Sequence, residues 1–254
     1  QVESAKGECN FGQHEIAFKY AEVVTTADRH TVYKTAAKEI AANHGKALTF
    51  MSKVNEREGN SCHIHLSVVG ENGEPVMADK DRPYGFSKLM EHWIAGQLAT
   101  LRELSLFFAP NINSYKRFVE GSFAPTAVAW GLDNRTCALR VVGHGRSLRV
   151  ENRVPGGDVN QYLAVAALIA GGLYGIEHEL ELEPIFEGNA YVSDAPRVPS
   201  SLREAAALFQ ASEVATEAFG EDVVAHYLNN ARIEQAAYDA AITDWERVRG
   251  FERF

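Results

Sequence analysis

Residues 137–154 read CALRVVGHGRSLRVENRV. Two short β-rich runs, 137–143 and 147–154, flank the turn His144-Gly145-Arg146. In the second run Arg149, Glu151 and Arg153 alternate with Val150 and Asn152. In a strand, residues two apart share a face, so this face reads plus, minus, plus. A solvent-facing ion ladder would show the same pattern and contribute little. The arginine density points elsewhere. Arg117, Arg135, Arg140, Arg146, Arg149 and Arg153 place six guanidinium groups between positions 117 and 153, more than a solubility face needs. The planar fork of arginine binds carboxylate and phosphate bidentately. Together they predict a site for a polyphosphate plus a carboxylate, with Glu151 a candidate metal ligand among them.

Outward from this pair, the chain alternates strand pairs and helix blocks rather than regular βαβ units. Residues 1–24 mix glycine with β-formers. Residues 28–45 predict a helix, with Asp28 as N-cap and Gly45 as the stop. ALTFMSK (47–53) and SCHIHLSVV (61–69) predict strands, Asn72-Gly73 a hairpin-type turn, and VMAD (76–79) a returning strand. Residues 86–108 have the spacing of one long amphipathic helix. Residues 109–136 read mostly as loop, 160–180 as a helix, 184–200 as an irregular proline-rich stretch, and the remainder as two or three polar-faced helices. The fold class expected is α+β, an antiparallel sheet with helices packed outside it.

The 254 residues can bury one sizeable core. A formal net charge of −9 disfavours a nucleic acid or an anionic membrane as the main partner. The arginine cluster on an acidic body suits a small anionic ligand. The most apolar run, YLAVAALIAGGLYGI (162–176), is shorter than the ~20 residues a membrane span needs and holds three glycines, so it reads as a buried helix. Cys9, Cys62 and Cys137 are odd in number and widely spaced, which fits neither a disulfide framework nor a structural zinc site and suits a reducing cytoplasm. No signal peptide is visible. The first residue is Gln1 and a motif starts almost at once, from which a longer parent protein is expected.

Further candidates lie upstream. GECNFGQHEI places Glu8 and Glu15 on either side of a glycine turn, where paired carboxylates can hold a hard divalent cation; two surface glutamates would look the same. His63 and His65 share one strand face with Ser67, a pattern suited to a metal, a phosphate or both, and equally to incidental histidines on a half-exposed strand. No GxxxxGK[ST], GxGxxG or GxSxG motif occurs.

Taken in order, KGECNFGQHEI, KALTFMSK with GNSCHIHLS, NSYKR, APTAVAWGLDNRTCALRV, RVENRVPGGDVNQYLAVAALIAGGLYGI and NAY closely resemble the C-terminal catalytic part of the glutamine synthetase family. The resemblance spans most of the chain. It implies part of that family's catalytic barrel over residues 1–254, with the small N-terminal β-grasp domain and the first catalytic strands lying upstream. It also implies a ligase in which ATP phosphorylates the γ-carboxylate of glutamate and an amine attacks the acyl phosphate, with Mg2+ or Mn2+ as the divalent cofactor. By resemblance, Glu8 and Glu15 match ligands of one metal, and His63 and Glu151 ligands of the second. His65, Ser67 and Arg149, with Glu3 and Tyr20, match nucleotide-contacting positions. Gly59, His63, Arg117 and Arg153 match the glutamate site, and Arg135 and Arg140 face the transferred phosphate. The parent protein is expected to be a cytoplasmic ring homo-oligomer acting on small molecules, and this chain alone to be inactive.

One departure bears on the acceptor. Where glutamine synthetases carry a flap glutamate that helps bind ammonium and remove its proton, this sequence has Phe123. Phenylalanine cannot act as a general base, but offers an apolar wall or a π-face to a larger amine. The pattern is similar to that of relatives that γ-glutamylate polyamines or other organic amines, so a glutamate–amine ligase is expected. The alternatives are an ordinary glutamine synthetase, with Glu120 taking the proton, and a non-catalytic homologue. Glu58, where the family often has asparagine, is a lesser departure. Tyr191, in NAY, reads as exposed; some relatives are adenylylated on a nearby tyrosine, but nothing physical argues for that here.

Overall fold

The computed structural model describes residues 1–254. In chain order its elements are β1 (Val2–Gly7), β2 (His14–Phe18), α1 (Val23–Asn43), β3 (Ile64–Leu66), α2 (Lys88–Thr100), α3 (Ser105–Phe108), β4 (Ala127–Leu132), β5 (Cys137–Val142), β6 (Arg149–Asn152), α4 (Gln161–Glu177), α5 (Leu202–Gln210), α6 (Glu213–Phe219), α7 (Glu221–Ala240) and α8 (Asp244–Arg253). β1 and β2 form an antiparallel hairpin, and a four-stranded sheet has the order β3-β6-β5-β4.

β5 and β6 pair antiparallel, as residues 137–154 predict, and β3 pairs antiparallel with the other edge of β6. The purely antiparallel sheet expected from the sequence is corrected at one place: β4 runs parallel to β5. The connection between them is folded by Asp133, at a left-handed φ of 47°, and by Asn134, whose side chain accepts from the backbone N–H of Thr136 at 3.0 Å. β4 itself falls in the stretch that reads as loop from the sequence. Its residues are mostly small and almost wholly buried, so no polar alternation marks it.

Other expectations are revised in detail. α1 starts five residues before Asp28, because the Glu22 carboxylate caps it by accepting from Val24 and Thr25 N–H at 3.1 and 3.0 Å; Asp28 instead accepts from the Tyr162 hydroxyl at 2.5 Å. Gly45, at φ 65°, ends the helix as predicted. Residues 47–53 are not a strand. Their backbone groups are taken by side chains and a loop: Asn60 donates to the Met51 carbonyl, and Asn113 both accepts from the Lys53 N–H and donates to its carbonyl. VMAD contributes only an isolated bridge from Ala78 to Phe86. The long helix expected over 86–108 breaks at Thr100, whose hydroxyl bonds back to the Gly96 carbonyl, and resumes as α3. The chain closes with four helices rather than two or three.

The core lies between the sheet and α2, α4 and the closing helices, built on Trp93, Ile94, Phe107, Trp130, Leu139, Val150, Leu168 and Phe209. The apolar 162–176 run is a buried helix, as expected. α2 and α4 come into backbone contact: a Cβ on Gly96 would meet the Gly171 carbonyl at 2.1 Å, and one on Gly175 the His92 carbonyl at 2.0 Å. No helix is long and apolar enough to cross a membrane.

Candidate active site

Sheet register builds the centre of the site. His65 on β3, Glu151 on β6 and Arg140 on β5 are directly opposite one another and share one face. The alternate positions, Val150, Leu139 and Val141, supply the core on the other face. Glu151 is 2 % exposed. Its carboxylate accepts from Arg140 Nη1 and from Arg153 Nη1, each at 2.7 Å, and lies 3.2 Å from His63 Nδ1 and 3.7 Å from His65 Nε2. Arg140 also bonds Asp133, and Arg149 donates to His65 Nδ1 at 3.3 Å. Of the plus-minus-plus face read from RVENR, Glu151 and Arg153 form a buried pair, while Arg149 is half-buried at its edge and bonds His65. Burial, then the nearby Arg153 guanidinium, holds His63 well below the usual histidine range, and its Nε2 is buried without a partner.

A second layer forms around Arg117. Only 1 % exposed, it donates from Nη1 to Ser61 Oγ at 2.9 Å and from Nη2 to the Val154 carbonyl. Its stem packs on Gly59, where a Cβ would come within 2.6 Å of Arg117 Cγ. Arg153 Nη2 donates to the Phe123 carbonyl at 3.2 Å. The Nε atoms of Arg117 and Arg153 are buried and unpartnered. Phe123 is exposed and holds a left-handed φ of 61°. Arg135 is exposed on the next loop, close enough for its charge to act on Arg153.

The β1–β2 turn docks on the loop of Glu58 and Gly59. Asn10 Nδ2 donates to the Glu58 carbonyl at 2.8 Å, and Gln13 Nε2 to the Gly59 carbonyl at 2.9 Å. This brings the hairpin of Glu8 and Glu15 against the loop that covers Arg117. Lys6, the cross-strand neighbour of Glu15, bridges the two carboxylates at 3.0 and 3.3 Å. Ser67 lies exposed just beyond β3, Glu3 exposed in β1, and Tyr20 almost fully exposed after β2.

Three features escape the sequence reading. Asp158 accepts from Ser52 at 2.5 Å, Asn111 at 2.9 Å and Ser114 at 2.7 Å, tying the stretch around Ser52 to the turn that carries Arg117. Lys34 reaches from α1 to the Gly157 and Val159 carbonyls. Tyr191 is 8 % exposed, not exposed as the NAY stretch suggests, because its turn is bonded down on both sides. The strong tie of Ala190 N–H to Thr136 Oγ1 links residues 54 apart and left no local signal.

Two donor pairs suit a divalent cation. Glu8 and Glu15 offer carboxylate oxygens. Partial burial acts to raise the Glu8 carboxyl, but the Lys6 ammonium outweighs it and holds the group below its usual range. Glu151 and His63 offer a carboxylate and an imidazole, with His63 Nδ1 3.2 Å from Glu151 Oε1, and both carboxylate oxygens are paired with Arg140 and Arg153. Neither pair closes a cage of three or more such side chains.

A family model for the glutamine synthetase catalytic domain matches residues 1–249. The chain belongs to the glutamine synthetase catalytic-domain family. Within this family it is 66 % identical over 252 residues to gamma-glutamylethanolamide synthetase GlnA4 of Streptomyces coelicolor, covering 99 % of this chain and 54 % of that protein. It is 40 % identical over 253 residues to glutamate–isopropylamine ligase of a Pseudomonas species, covering 98 % and 55 %. The solved GmaS–ADP complex, in its first conformation, superposes with a TM-score of 0.92 at 32 % identity, over 99 % of this chain and 60 % of that one. The chain spans about half the length of the curated relatives it matches. Glutamine synthetase family enzymes are ATP-dependent ligases and use divalent metals.

Proposed function

We propose that this chain supplies the phosphate- and glutamate-binding part of an ATP-dependent ligase that joins the γ-carboxylate of glutamate to an organic amine. The observation that carries this is Phe123, an apolar side chain exposed on the loop whose backbone carbonyl is held by Arg153. An ordinary glutamine synthetase needs a carboxylate there to take a proton from ammonium. The names of the two relatives, an ethanolamide synthetase and an isopropylamine ligase, support the same acceptor class.

In this reading Arg117 and Arg153, whose Nε atoms are buried without protein partners, hold the glutamate carboxylates, and Gly59 lets its loop pack closely on Arg117. Arg140 and Arg135 offset the negative charge that moves from the nucleotide to the acyl phosphate. His65, Ser67 and Arg149, with Glu3 and Tyr20, line the nucleotide side. Glu8 with Glu15, and His63 with Glu151, would hold Mg2+ or Mn2+, which neutralise phosphate charge when bound. The four-stranded sheet is taken as part of the family's catalytic barrel, residues 1–254 as the C-terminal part of the catalytic domain, and the full-length protein as a ring homo-oligomer.

The test is ATP- and glutamate-dependent phosphate release by the full-length protein with ammonium, ethylamine, ethanolamine, putrescine and spermidine. Turnover with at least one organic amine, at a higher kcat/KM than with ammonium, is expected. Turnover with ammonium alone sinks the amine assignment, and none with any acceptor supports a non-catalytic homologue.

A further inference from the structure

The chain leaves β6 through Arg153, Val154 and Pro155 and turns at Gly156, Gly157 and Asp158. This turn is packed against the stretch before the Gly59 loop. A Cβ on Gly156 would meet Ser52 Oγ at 2.2 Å, and one on Gly157 the Phe50 carbonyl at 2.8 Å. Lys34 donates from α1 to the Gly157 and Val159 carbonyls at 3.0 and 3.2 Å, which pins the backbone on both sides of Asp158.

Asp158 spends both carboxylate oxygens on other segments. Oδ1 accepts from Ser52 Oγ at 2.5 Å, and Oδ2 from Asn111 Nδ2 at 2.9 Å and Ser114 Oγ at 2.7 Å. Ser52 and Ser114 are both buried, so water does not readily replace the carboxylate as their acceptor. Each segment joined in this way carries part of the arginine layer. From Ser52 the chain returns through the Asn60 N–H to Ser52 carbonyl bond, at 2.8 Å, and lays Gly59 on the Arg117 stem. The turn capped by Asn111 ends in Arg117. The segment of Asp158 itself supplies Arg153 and the Val154 carbonyl to which Arg117 donates. Asn113 adds a second tie, accepting from the Lys53 N–H at 2.8 Å and donating to the Lys53 carbonyl at 2.9 Å. Asp158 bonds neither arginine. Arg117 is held by Ser61 and Val154, and Arg153 by Glu151 and the Phe123 carbonyl.

We propose that Asp158 is a positioning residue for the glutamate pocket: its carboxylate fixes the Gly59 loop and the Arg117 turn against the segment of Arg153, and so sets the relative placement of the two guanidinium groups. The inference rests on the proposed role of Arg117 and Arg153 in holding glutamate. A group that only stabilised the fold would change how much protein is folded, not the affinity of the folded fraction for one of its substrates.

Asp158→Ala in the full-length protein removes an acceptor shared by three donors. The KM for glutamate is expected to rise about tenfold, the size of one hydrogen bond to a charged group, with the KM for ATP unchanged. Asp158→Asn keeps the connections: its carbonyl can accept from Asn111 and Ser114, and its amide can donate to Ser52 Oγ, because a hydroxyl also accepts. This variant is expected to bring the glutamate KM back close to the wild-type value. Should Asp158→Ala fail to fold, Ser52→Ala carries the test, since it removes one of the three bonds and should raise the glutamate KM by roughly threefold, again without moving the KM for ATP. A lower kcat with both KM values unchanged, an equal rise in both, or an asparagine variant as impaired as the alanine one overturns the assignment. Wild-type protein that turns over no glutamate with any acceptor sinks the ligase reading on its own. The variants are then read on the Kd for L-glutamate by calorimetry. A weakening of about tenfold keeps the positioning role; an unchanged Kd, or no binding by the wild type, removes it.

Discussion

Phe123 holds a backbone conformation that a bulky residue seldom adopts, and its carbonyl is engaged by Arg153 while its ring stays in solvent. The main chain of the loop is thus held by Arg153, and the side chain is left free in solvent. Phe123→Glu should leave the loop in place and restore a proton acceptor. The ratio of kcat/KM for ammonium over ethylamine is expected to rise by about a hundredfold, the lower end of general-base contributions. An unchanged ratio in a competition assay would show that Phe123 does not set the acceptor. Glu151 behaves differently. Two guanidinium groups converge on its carboxylate, and Glu151→Ala leaves the buried Arg153 without its counter-charge, while the partly buried Arg140 keeps only Asp133. A loss of about 3–5 kcal/mol in denaturant melts is expected; a loss under about 1 kcal/mol would mean that Arg140 and Arg153 find other partners. The alternation in RVENR and the HxH spacing gave Glu151, Arg153, His63 and His65 away, because strand periodicity is local. Asp158 and Tyr191 gave no such sign: each acts through contacts with segments 44 to 106 residues away in sequence, which no short window displays.

Elements were readable where a period or a cap lies in the sequence itself. The apolar 162–176 run and the capping Asn160, which accepts from the Tyr162 and Leu163 N–H groups, define α4 almost unaided. β4 was not readable, since a strand buried on both faces has no polar alternation. Nor was the irregular path of 47–53, whose backbone is satisfied by Asn60 and Asn113 rather than by a neighbouring strand. The glycines of α4 take their meaning from packing on α2. Gly175→Ala would put a methyl 2.0 Å from the His92 carbonyl, and rigid helix backbones cannot yield cheaply. We expect a loss of about 2 kcal/mol, the overpacking cost exceeding the better helix propensity of alanine. Gly250→Ala on α8 meets nothing within 4 Å and should gain about 0.5–1 kcal/mol instead. Urea midpoints of the two variants, moving in opposite directions, check the packing; a Gly175→Ala protein as stable as wild type would mean that α2 and α4 do not touch.

At the scale of the molecule, two of the three cysteines report on how the fold divides surface from interior. Cys9 is exposed in the β1–β2 turn, while Cys137 is fully buried among Ala127, Ala129 and Ala190. Burial pushes the Cys137 thiol up to about 11. Its folded value lies above that of the unfolded chain, so the native state keeps a proton that the unfolded state releases. Between about pH 9 and 11 the unfolded chain binds fewer protons, and stability from this group falls as pH rises. Two pH units correspond to roughly 2–3 kcal/mol. Lysines and tyrosines titrate in the same range, so the quantity to measure is the difference between wild type and Cys137→Ala. The stability gap between them, from urea melts at steps from pH 8 to 11, should narrow in wild type's disfavour by that amount. A gap independent of pH would place Cys137 in contact with water. The same burial predicts that in native protein at pH 8 a disulfide reagent labels Cys9 rapidly, and that Cys137 reacts only on unfolding.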